Sequence, residues 1–424
     1  MLLAGGWGAS GFAEATSELY DLSTGAFTTT GNLITARAGH SATLLADGKV
    51  FVFGGLTGAN DVGAKNISRG EIYDPSTGTF TATGDTINPR PYYKATLLQD
   101  GRVLIPGSAA AQVYDPVSGI FEATGPYVTP AGSVVTATLL ADGKVLMTGC
   151  GLRCDGEWSQ LYDPGTGTFS TAAGYINNWY NVNTATLLMN GKVLVAGSDE
   201  YAEPADAELY DPPTGTFTRI ARMTATHEFS AAVLLSDGTV LITGSQLGGG
   251  GTDASAELYD AANGTFTFAG DMTEGRFFHT ATLLPDGEVL IAGGYPPRTS
   301  SAELYKPAAL APSPVLFSVS EHAQGQGAIL HSGTDRVVSA DSPGVAGEVL
   351  EVYCTGLSAA SLIPPRVAIG GRTAEILFFG KAPGYANVNQ VNVRVPSGVV
   401  PGPAVPVRLN YLGRPSNEVT IGAR

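Results

Sequence analysis

The stretch SATLLADGKVFVFGG at residues 41–55 decides the fold, because closely similar stretches occur five more times along the chain. The further copies are KATLLQDGRVLIPGS (94–108), TATLLADGKVLMTGC (136–150), TATLLMNGKVLVAGS (184–198), SAAVLLSDGTVLITGS (230–245) and TATLLPDGEVLIAGG (280–294). In each copy two apolar runs flank an Asp-Gly or Asn-Gly pair, which is a strong signal for a β-hairpin. The pairs predict type I′ turns, because Asn, Asp and Gly best tolerate the positive φ that both central residues need.

A second hairpin follows each of the first, and its core is typically Tyr-Asp-Pro-x-x-Gly, as in GEIYDPSTGTFT. Pro presets φ, Asp accepts backbone hydrogen bonds and Gly takes the left-handed position, so this core predicts a tight turn between strands c and d. Its tyrosines recur every 41 to 53 residues, the length of a four-stranded unit. They are Tyr20, Tyr73, Tyr114, Tyr162, Tyr210, Tyr259 and Tyr305.

The four predicted strands of each unit are named a (ATLL), b (KVLVAGG), c (AELYD) and d (GTF). Residues 1–6 are predicted to be strand b of the first unit, since they lack the basic flank and the length of a signal peptide. The chain then holds seven b and seven c strands but only six a and six d strands. Two explanations fit these unequal counts. The native chain starts further upstream, or the ring closes through an irregular strand at 308–314. An open ring leaves unpaired edges that favour self-association.

The Gly-Gly that ends strand b, the tyrosine of strand c and the unit length resemble Kelch-type repeats, closest to the bacterial, galactose-oxidase-like branch. That resemblance implies an all-β protein, in which a seven-bladed β-propeller at 1–307 precedes an immunoglobulin-like (Ig-like) β-sandwich at 308–424. The Pro- and Ala-rich junction KPAALAPSP (306–314) and the short β-rich runs beyond it are typical of this division. PGVAGEVLEVYCTGL (343–357) and SNEVTIGAR (416–424) resemble a C-terminal domain common in secreted acidobacterial proteins, which implies export.

The composition narrows the class of partner. The net charge is −15 and the pI is near 4.7, so nucleic acid and anionic membrane surfaces are poor partners. No apolar run approaches the length of a membrane span, so no membrane insertion is expected. We expect a secreted, extracellular or cell-surface protein whose partner is a glycan or another extracellular protein.

The blade topology predicts where such a partner binds. The a–b and c–d turns lie at one end of the blades, here called the turn face. The b–c and d–a connections lie at the other end, here called the loop face, and they vary between repeats. The departures from the repeat at 56–70, 149–158, 175–182 and 246–255 are therefore the expected binding region. The candidate ligand-binding residues are Arg90, Tyr92, Tyr93, Trp158, Trp179, Tyr180, His227 and Arg276.

Several other polar residues recur in register, which indicates blade packing. Arg37 and His40 occupy the positions of Arg276 and His279, so a packing role competes with ligand binding for Arg276 as well. A glutamate also recurs two residues before the tyrosine of strand c. Its copies are Glu18, Glu71, Glu208, Glu257 and Glu303.

The three cysteines predict no catalysis. Cys150 and Cys154 are spaced for a small disulfide in an oxidising compartment, and two free thiols are the next interpretation. A metal site there would need Asp155 and Glu157 as further ligands. Cys354 lies in an apolar run and is predicted to be buried core.

The galactose-oxidase-like resemblance implies a copper-radical site with two Tyr and two His ligands, one Tyr-His pair being adjacent in sequence. This chain has no Tyr-His dipeptide, and its histidines are His40, His227, His279, His322 and His331. We therefore expect no cofactor and a non-catalytic binding or scaffold protein. A copper-radical oxidase or another carbohydrate-active enzyme, and a structural component of an envelope or filament, are the alternatives.

Overall fold

The computed structural model describes residues 1–59, 64–86, 91–107, 110–128, 131–151, 157–172, 184–197, 207–247, 250–295, 301–308, 310, 313–320 and 324–424, with the backbone alone at 131–135, 150–151 and 157. The fold is all-β, with seven propeller blades followed by a curled β-sheet domain, which confirms the predicted fold class. Across the described ranges, no helix is long and apolar enough to cross a membrane.

Each blade is one antiparallel sheet whose strands run in chain order from the inner to the outer edge. Blade one contains β1 (Leu2–Ala4), β2 (Ser17–Asp21) and β3 (Ala26–Thr29). Blade two contains β4 (Ser41–Leu44), β5 (Val50–Phe53), β8 (Arg69–Asp74) and β9 (Thr79–Asp85), with the ribbon β6 (Leu56–Thr57) and β7 (Lys65–Asn66) in its b–c connection. Blade three contains β10 (Thr96–Leu97), β11 (Val103–Ile105), β12 (Ala110–Asp115) and β13 (Ile120–Pro126).

The remaining four blades repeat this order. Blade four contains β14 (Ala131–Leu139), β15 (Val145–Gly151), β16 (Glu157–Asp163) and β17 (Thr168–Thr171). Blade five contains β18 (Thr184–Leu187), β19 (Val193–Ala196), β20 (Ala207–Asp211) and β21 (Thr216–Arg219). Blade six contains β22 (Ala231–Leu234), β23 (Val240–Leu247), β24 (Gly251–Asp260) and β25 (Thr265–Asp271), and blade seven contains β26 (Thr280–Leu283), β27 (Val289–Ala292) and β28 (Ala302–Tyr305).

The a–b turns differ from the sequence prediction. Gly48 has φ 86°, but Asp47 does not have positive φ, so the turn is not type I′. Leu45 N donates to Lys49 O, and Gly48 N donates to Leu45 O, which is the three-residue hairpin with glycine at its left-handed position. The side chain of Asp47 accepts a hydrogen bond from Lys49 N at 3.1 Å, which stabilises Asp47 outside the left-handed region.

The propeller core lies between neighbouring blades. Phe51 and Phe53 of blade two, for example, pack in one cluster with Val103 and Tyr114 of blade three. Leu290 of blade seven packs in the same way with side chains of blade one, so packing joins the last blade to the first. Burial of these apolar surfaces is the main term that stabilises the ring.

The C-terminal domain is one curled antiparallel sheet around a single core. Its strand order is β29-β30-β33-β32-β31-β34-β35, with β36 also paired to β34. The ten-residue strand β32 pairs with β31 at one end and with β33 at the other, which lets the sheet turn over the core. The more specific Ig-like description stays a prediction. The strands are β29 (Ile329–His331), β30 (Val349–Cys354), β31 (Arg366–Ile369), β32 (Arg372–Lys381), β33 (Asn389–Arg394), β34 (Gly402–Tyr411), β35 (Arg414–Pro415) and β36 (Val419–Ala423).

The C-terminal domain contacts the turn face of the propeller. Arg366 Nη2 donates to Leu97 O at 2.9 Å, and Leu362 N donates to Met189 O at 2.7 Å. Arg408 donates to the backbone oxygen of Asp47. These contacts reach blades two, three and five at their a–b turns, so the domain lies on the turn face, on the opposite side from the loop face.

Arg366→Ala is expected to loosen this contact. Burial lowers the pKa of the Arg366 guanidinium to about 10, and its replacement leaves Leu97 O without this charged donor. A hydrogen bond to a charged group contributes roughly 1.5–3 kcal/mol. We expect faster limited proteolysis between the two domains, followed by mass spectrometry. Arg394→Ala, which removes an exposed ion pair within the C-terminal domain, is the control and should leave the cleavage rate unchanged.

Candidate functional site

A strained backbone position recurs on the loop face, six residues before the second leucine of strand a. Its φ is 61° at Gly39, 64° at Tyr92, 52° at Phe229 and 54° at Phe278. A bulky side chain in this left-handed region costs about 1–3 kcal/mol and persists only where surrounding structure imposes it. Three aromatic residues thus occupy a position that favours glycine.

These aromatic side chains meet at the centre of the loop face. The rings of Tyr92 and Phe278 stack with centroids 5.3 Å apart, and Phe229 lies 4.4 Å from Phe278. Phe277 contacts Tyr295 edge-on at 5.4 Å. Tyr92 precedes blade three and Phe278 precedes blade seven, so their contact crosses the propeller axis. We call these five residues the aromatic cluster.

The aromatic cluster is open to solvent on its outer side. Tyr92 is 41% exposed, Phe278 is 46% exposed and Tyr295 is 45% exposed. Gly39 allows Tyr92 to lie flat over blade two, because a Cβ at Gly39 would fall 2.7 Å from Tyr92 Cε1. Exposed aromatic rings grouped in this way mark interaction surfaces more often than isolated apolar side chains do.

Buried side-chain pairs with a glutamate fix the d–a connections that carry the aromatic cluster. Arg37 Nη2 lies 2.6 Å from Glu71 Oε1, and Arg276 Nη2 lies 2.9 Å from Glu303 Oε1. His227 Nε2 lies 3.4 Å from Glu257 Oε1 in blade six. In each case the residue before strand a pairs with the glutamate of strand c in the same blade. These pairs agree with a packing role for the repeated glutamates.

The predicted ligand-binding residues therefore separate by exposure. Tyr92 is exposed within the aromatic cluster, and Tyr93 is partly buried against the core between blades three and four. Arg276 is buried in its ion pair with Glu303, and the imidazole of His227 is buried beside Glu257. Trp158 is 2% exposed and packs edge-on against Tyr127 at 5.2 Å. Ligand binding by any of them stays a prediction.

Other predicted residues lie outside the described part of the chain. They are Arg90, Trp179, Tyr180 and Cys154, together with the side chain of Cys150. The proposed disulfide therefore stays a prediction. Cys354 is a free cysteine in the core of the C-terminal domain, where burial raises the pKa of its thiol to about 12.

Phe229, Phe277, Phe278 and Tyr295 were not among the residues predicted from the sequence to bind a ligand. Tyr92, Phe229 and Phe278 share one register before strand a, whereas Tyr93 and Phe277 lie one position to either side of that register. Alignment of the d–a segments would have shown aromatic residues where blade two has Gly39. It would not have shown that the rings from blades three and seven touch.

Two neutral histidines and a lysine lie just before strand a of blades two, seven and three. Burial lowers the pKa of His40 to about 4. Burial, followed by the charges of Arg276 and Lys94, lowers the pKa of His279 to about 3, and its Nε2 lies 2.8 Å from Thr243 Oγ1. The Lys94 side chain is exposed at this position. Neutral imidazoles and an ammonium are suited to hydrogen bonding with hydroxyl-rich ligands.

A serine–histidine–glutamate chain occurs in the C-terminal domain. His331 Nδ1 contacts Glu348, and His331 Nε2 lies 2.9 Å from Ser342 Oγ. The same Nε2 lies 3.0 Å from the backbone oxygen of Ser342, which only accepts hydrogen bonds, so Nε2 is a donor. Arg336 donates to Ser342 Oγ as well, at 2.8 Å. A donor at Nε2 cannot take a proton from the serine, so this chain fastens a loop and does not form a nucleophile–base pair.

Copper is the metal that the galactose-oxidase-like resemblance implies, and the described donors do not match it. Nowhere in the described part of the chain do three His, Cys, Asp or Glu side chains converge as a metal site. His40 and His279 belong to blades two and seven, and His279 is held by Thr243. A copper site needs its ligands to converge with defined geometry.

Comparison with known proteins supports the fold. Residues 36–84 match the family model of the Kelch motif. Among solved structures, the chain is similar to a fungal alcohol oxidase of the AA5 family in complex with copper. The two are 16% identical, the match covers 100% of this chain and 94% of that chain, and the TM-score is 0.58. At this identity the similarity shows the fold alone. No curated protein matches the chain.

Together these findings confirm the resemblance to Kelch-type, galactose-oxidase-like propellers.

Proposed function

We propose that this Kelch-type propeller is a secreted, non-catalytic binding protein that holds a glycan at the aromatic cluster. The observation that carries the proposal is the exposed cluster at the centre of the loop face, where Tyr92 stacks on Phe278. The C–H faces of a sugar ring stack on such rings, and its hydroxyls need nearby polar partners. His279 directly follows Phe278 and the exposed Lys94 lies two residues after Tyr92, so these side chains bring polar groups next to the cluster.

Two further observations support this location. The backbone strain at Tyr92, Phe229 and Phe278 is the kind that persists at ligand-binding positions, where surrounding structure imposes it. The C-terminal domain lies on the turn face, so its contacts leave the loop face free for a partner. A rigid propeller with variable connections at one end is a common way to build a binding site.

Tyr92→Ala and Phe278→Ala are each expected to weaken glycan binding by about 10-fold or more, because aromatic anchors dominate binding energies. A glycan array with the full chain identifies the ligand, and isothermal titration calorimetry with that glycan measures the loss. Phe268→Ala and Tyr385→Ala are the matched controls. These side chains are 60% and 65% exposed, on an outer strand and in the C-terminal domain, and their removal should leave affinity unchanged.

Three outcomes would contradict the proposal. One is a chain that binds no glycan on the array but captures an extracellular protein from the source culture, since that result assigns the cluster to a protein contact. Another is equal loss of affinity in the control variants. The third is one equivalent of copper together with oxidation of an alcohol, which would make the chain an oxidase like its structural neighbour.

A further inference from the structure

Lys94 of blade three departs from the repeat at the start of strand a. In the other blades that have an Ala-Thr-Leu-Leu run or its close variant, the residue directly before the run is small and uncharged. Those residues are Ser41, Thr136, Thr184, Ala231 and Thr280. Packing of the repeat therefore needs no charge at this position, and the ammonium of blade three is free to serve another purpose.

The hydroxyl groups at this register are satisfied within the protein, whereas Lys94 is not. The pairs are Thr136 with Thr148 Oγ1 at 2.7 Å, Thr184 with Ala196 O at 3.2 Å, Thr280 with Ala292 O at 3.4 Å, and Ser41 Oγ with Ala95 N at 2.9 Å. The side chain of Lys94 is exposed, and within the described part of the chain it makes neither a hydrogen bond nor an ion pair. It is a cation that lacks an anionic partner.

Lys94 lies close to the aromatic cluster. Strand a is the inner strand of its blade, so an exposed side chain at its start opens towards the propeller axis at the loop face. Lys94 follows Tyr92 by two residues, and its positive charge helps to lower the pKa of His279, which directly follows Phe278. Coulomb interactions weaken with distance, so the ammonium of blade three approaches blade seven across the axis, as the stacked rings do.

The repeated glutamates of the neighbouring connections do not neutralise Lys94. Glu71 is held by Arg37 at 2.6 Å, and Glu303 is held by Arg276 at 2.9 Å. The net charge of −15 acts weakly at this point, because charges more than about 8 Å away are largely screened at physiological ionic strength. The site therefore combines exposed aromatic rings with an ammonium that is available to an anion.

We propose that the glycan at the aromatic cluster is acidic, and that its anionic group pairs with Lys94. This inference rests on the proposed glycan-binding function and specifies its class of ligand. One face of the sugar ring stacks on Tyr92 and Phe278, while the carboxylate of a uronic acid or a sulfate ester accepts hydrogen bonds from the ammonium. Hydrogen bonds between charged groups are stronger than those between neutral groups, so the anionic group adds affinity and selects against neutral sugars.

Matched pairs of oligosaccharides test the inference on the full wild-type chain by isothermal titration calorimetry. The first pairs are oligomers of galacturonate, glucuronate and mannuronate, each beside its neutral methyl ester. The second pair is a sulfated galactan oligomer beside its desulfated form, so the two sets distinguish a carboxylate from a sulfate. At least one acidic probe should bind about 10-fold or more tightly than its neutral counterpart. Both members of a pair meet the same folded protein, so the comparison does not depend on the stability of a variant.

Substitution of the lysine provides a second readout. Lys94→Gln should remove the preference for the acidic member of the pair, and Lys94→Arg should retain most of it because the charge is kept. Lys65→Gln is the matched control, since Lys65 is an exposed lysine of the b–c ribbon in blade two, on the same loop face. Its preference should equal that of the wild type.

The outcomes separate this inference from the proposed function. Equal affinity for the acidic and neutral members of every pair would overturn the inference and leave glycan binding in place. A preference that persists in Lys94→Gln would overturn it as well, because the anion would then bind elsewhere. No binding of any probe, acidic or neutral, would contradict both the inference and the proposed function.

Discussion

Arg37→Ala is expected to lower the free energy of unfolding of the propeller by about 3–5 kcal/mol, the cost of breaking a buried ion pair on one side. Arg37 is fully buried, and its guanidinium donates to Glu71 Oε1 at 2.6 Å and to Gly54 O at 3.0 Å. Burial lowers the pKa of Arg37, and the hydrogen bond with Glu71 opposes that change. Without the guanidinium, the Glu71 carboxylate stays in the interior without its counter-charge.

Arg37→Ala should also destabilise the d–a connection that precedes blade two. Glu71 also accepts hydrogen bonds from Ile34 N at 2.7 Å and Thr35 N at 3.0 Å, so it holds the segment that enters blade two. Glu71→Gln keeps an acceptor for these donors but removes the charge, and we expect it to cost less than Arg37→Ala. A disturbed connection should also displace Gly39, on which Tyr92 packs.

Arg69→Ala is the matched control for this prediction. Arg69 lies on the same strand as Glu71, and its ion pair with Asp85 is exposed, with the two side chains 54% and 55% accessible. Exposed pairs contribute about 0–1 kcal/mol. The measurement is urea unfolding with a separate fit of the propeller and C-terminal transitions, because a chain of two domains is not two-state. Equal midpoints for Arg37→Ala and Arg69→Ala would show that the buried pair contributes little.

The fold was largely predictable because the repeat carries it. Hairpin signals and the tyrosine spacing predicted seven blades, and the structure has them. The turn type was wrong for a local reason. The Asp47 side chain can accept a hydrogen bond from Lys49 N, which makes a wider turn with a single left-handed glycine possible. Residue preference alone does not distinguish these two hairpins.

The candidate site was less predictable, because it depends on contacts between blades that are distant in sequence. Tyr92 was chosen from its loop position, but its contact with Phe278 crosses the axis and leaves no trace in the repeat spacing. Arg276 was chosen as a polar loop residue, and the structure buries it against Glu303. The paired recurrence of Arg37 with Glu71 and Arg276 with Glu303 was the available signal for that role.

Lowering the pH from 7 to 5 is expected to destabilise the propeller through His40 and His279. Their pKa values are about 4 and about 3 in the folded chain, whereas an unfolded histidine has a pKa of about 6.5. Above about pH 6.5 both states are neutral and the two groups make no difference to stability. Below that value the unfolded chain binds protons that the folded chain excludes, so stability is lost as the pH falls, and the loss levels off near the folded pKa values.

At pH 5 each histidine should contribute a loss of about 2 kcal/mol, at 1.36 kcal/mol per pKa unit. The net charge of −15 also shrinks as the pH approaches the pI of 4.7, which relieves repulsion and acts in the opposite direction. The decisive quantity is therefore the difference between the wild type and His40→Asn/His279→Asn, since both experience the change in net charge. We expect urea midpoints for the propeller transition to fall between pH 7 and 5 much more in the wild type than in the double variant. Parallel midpoints would mean that buried histidines elsewhere, or the carboxylates, control acid sensitivity.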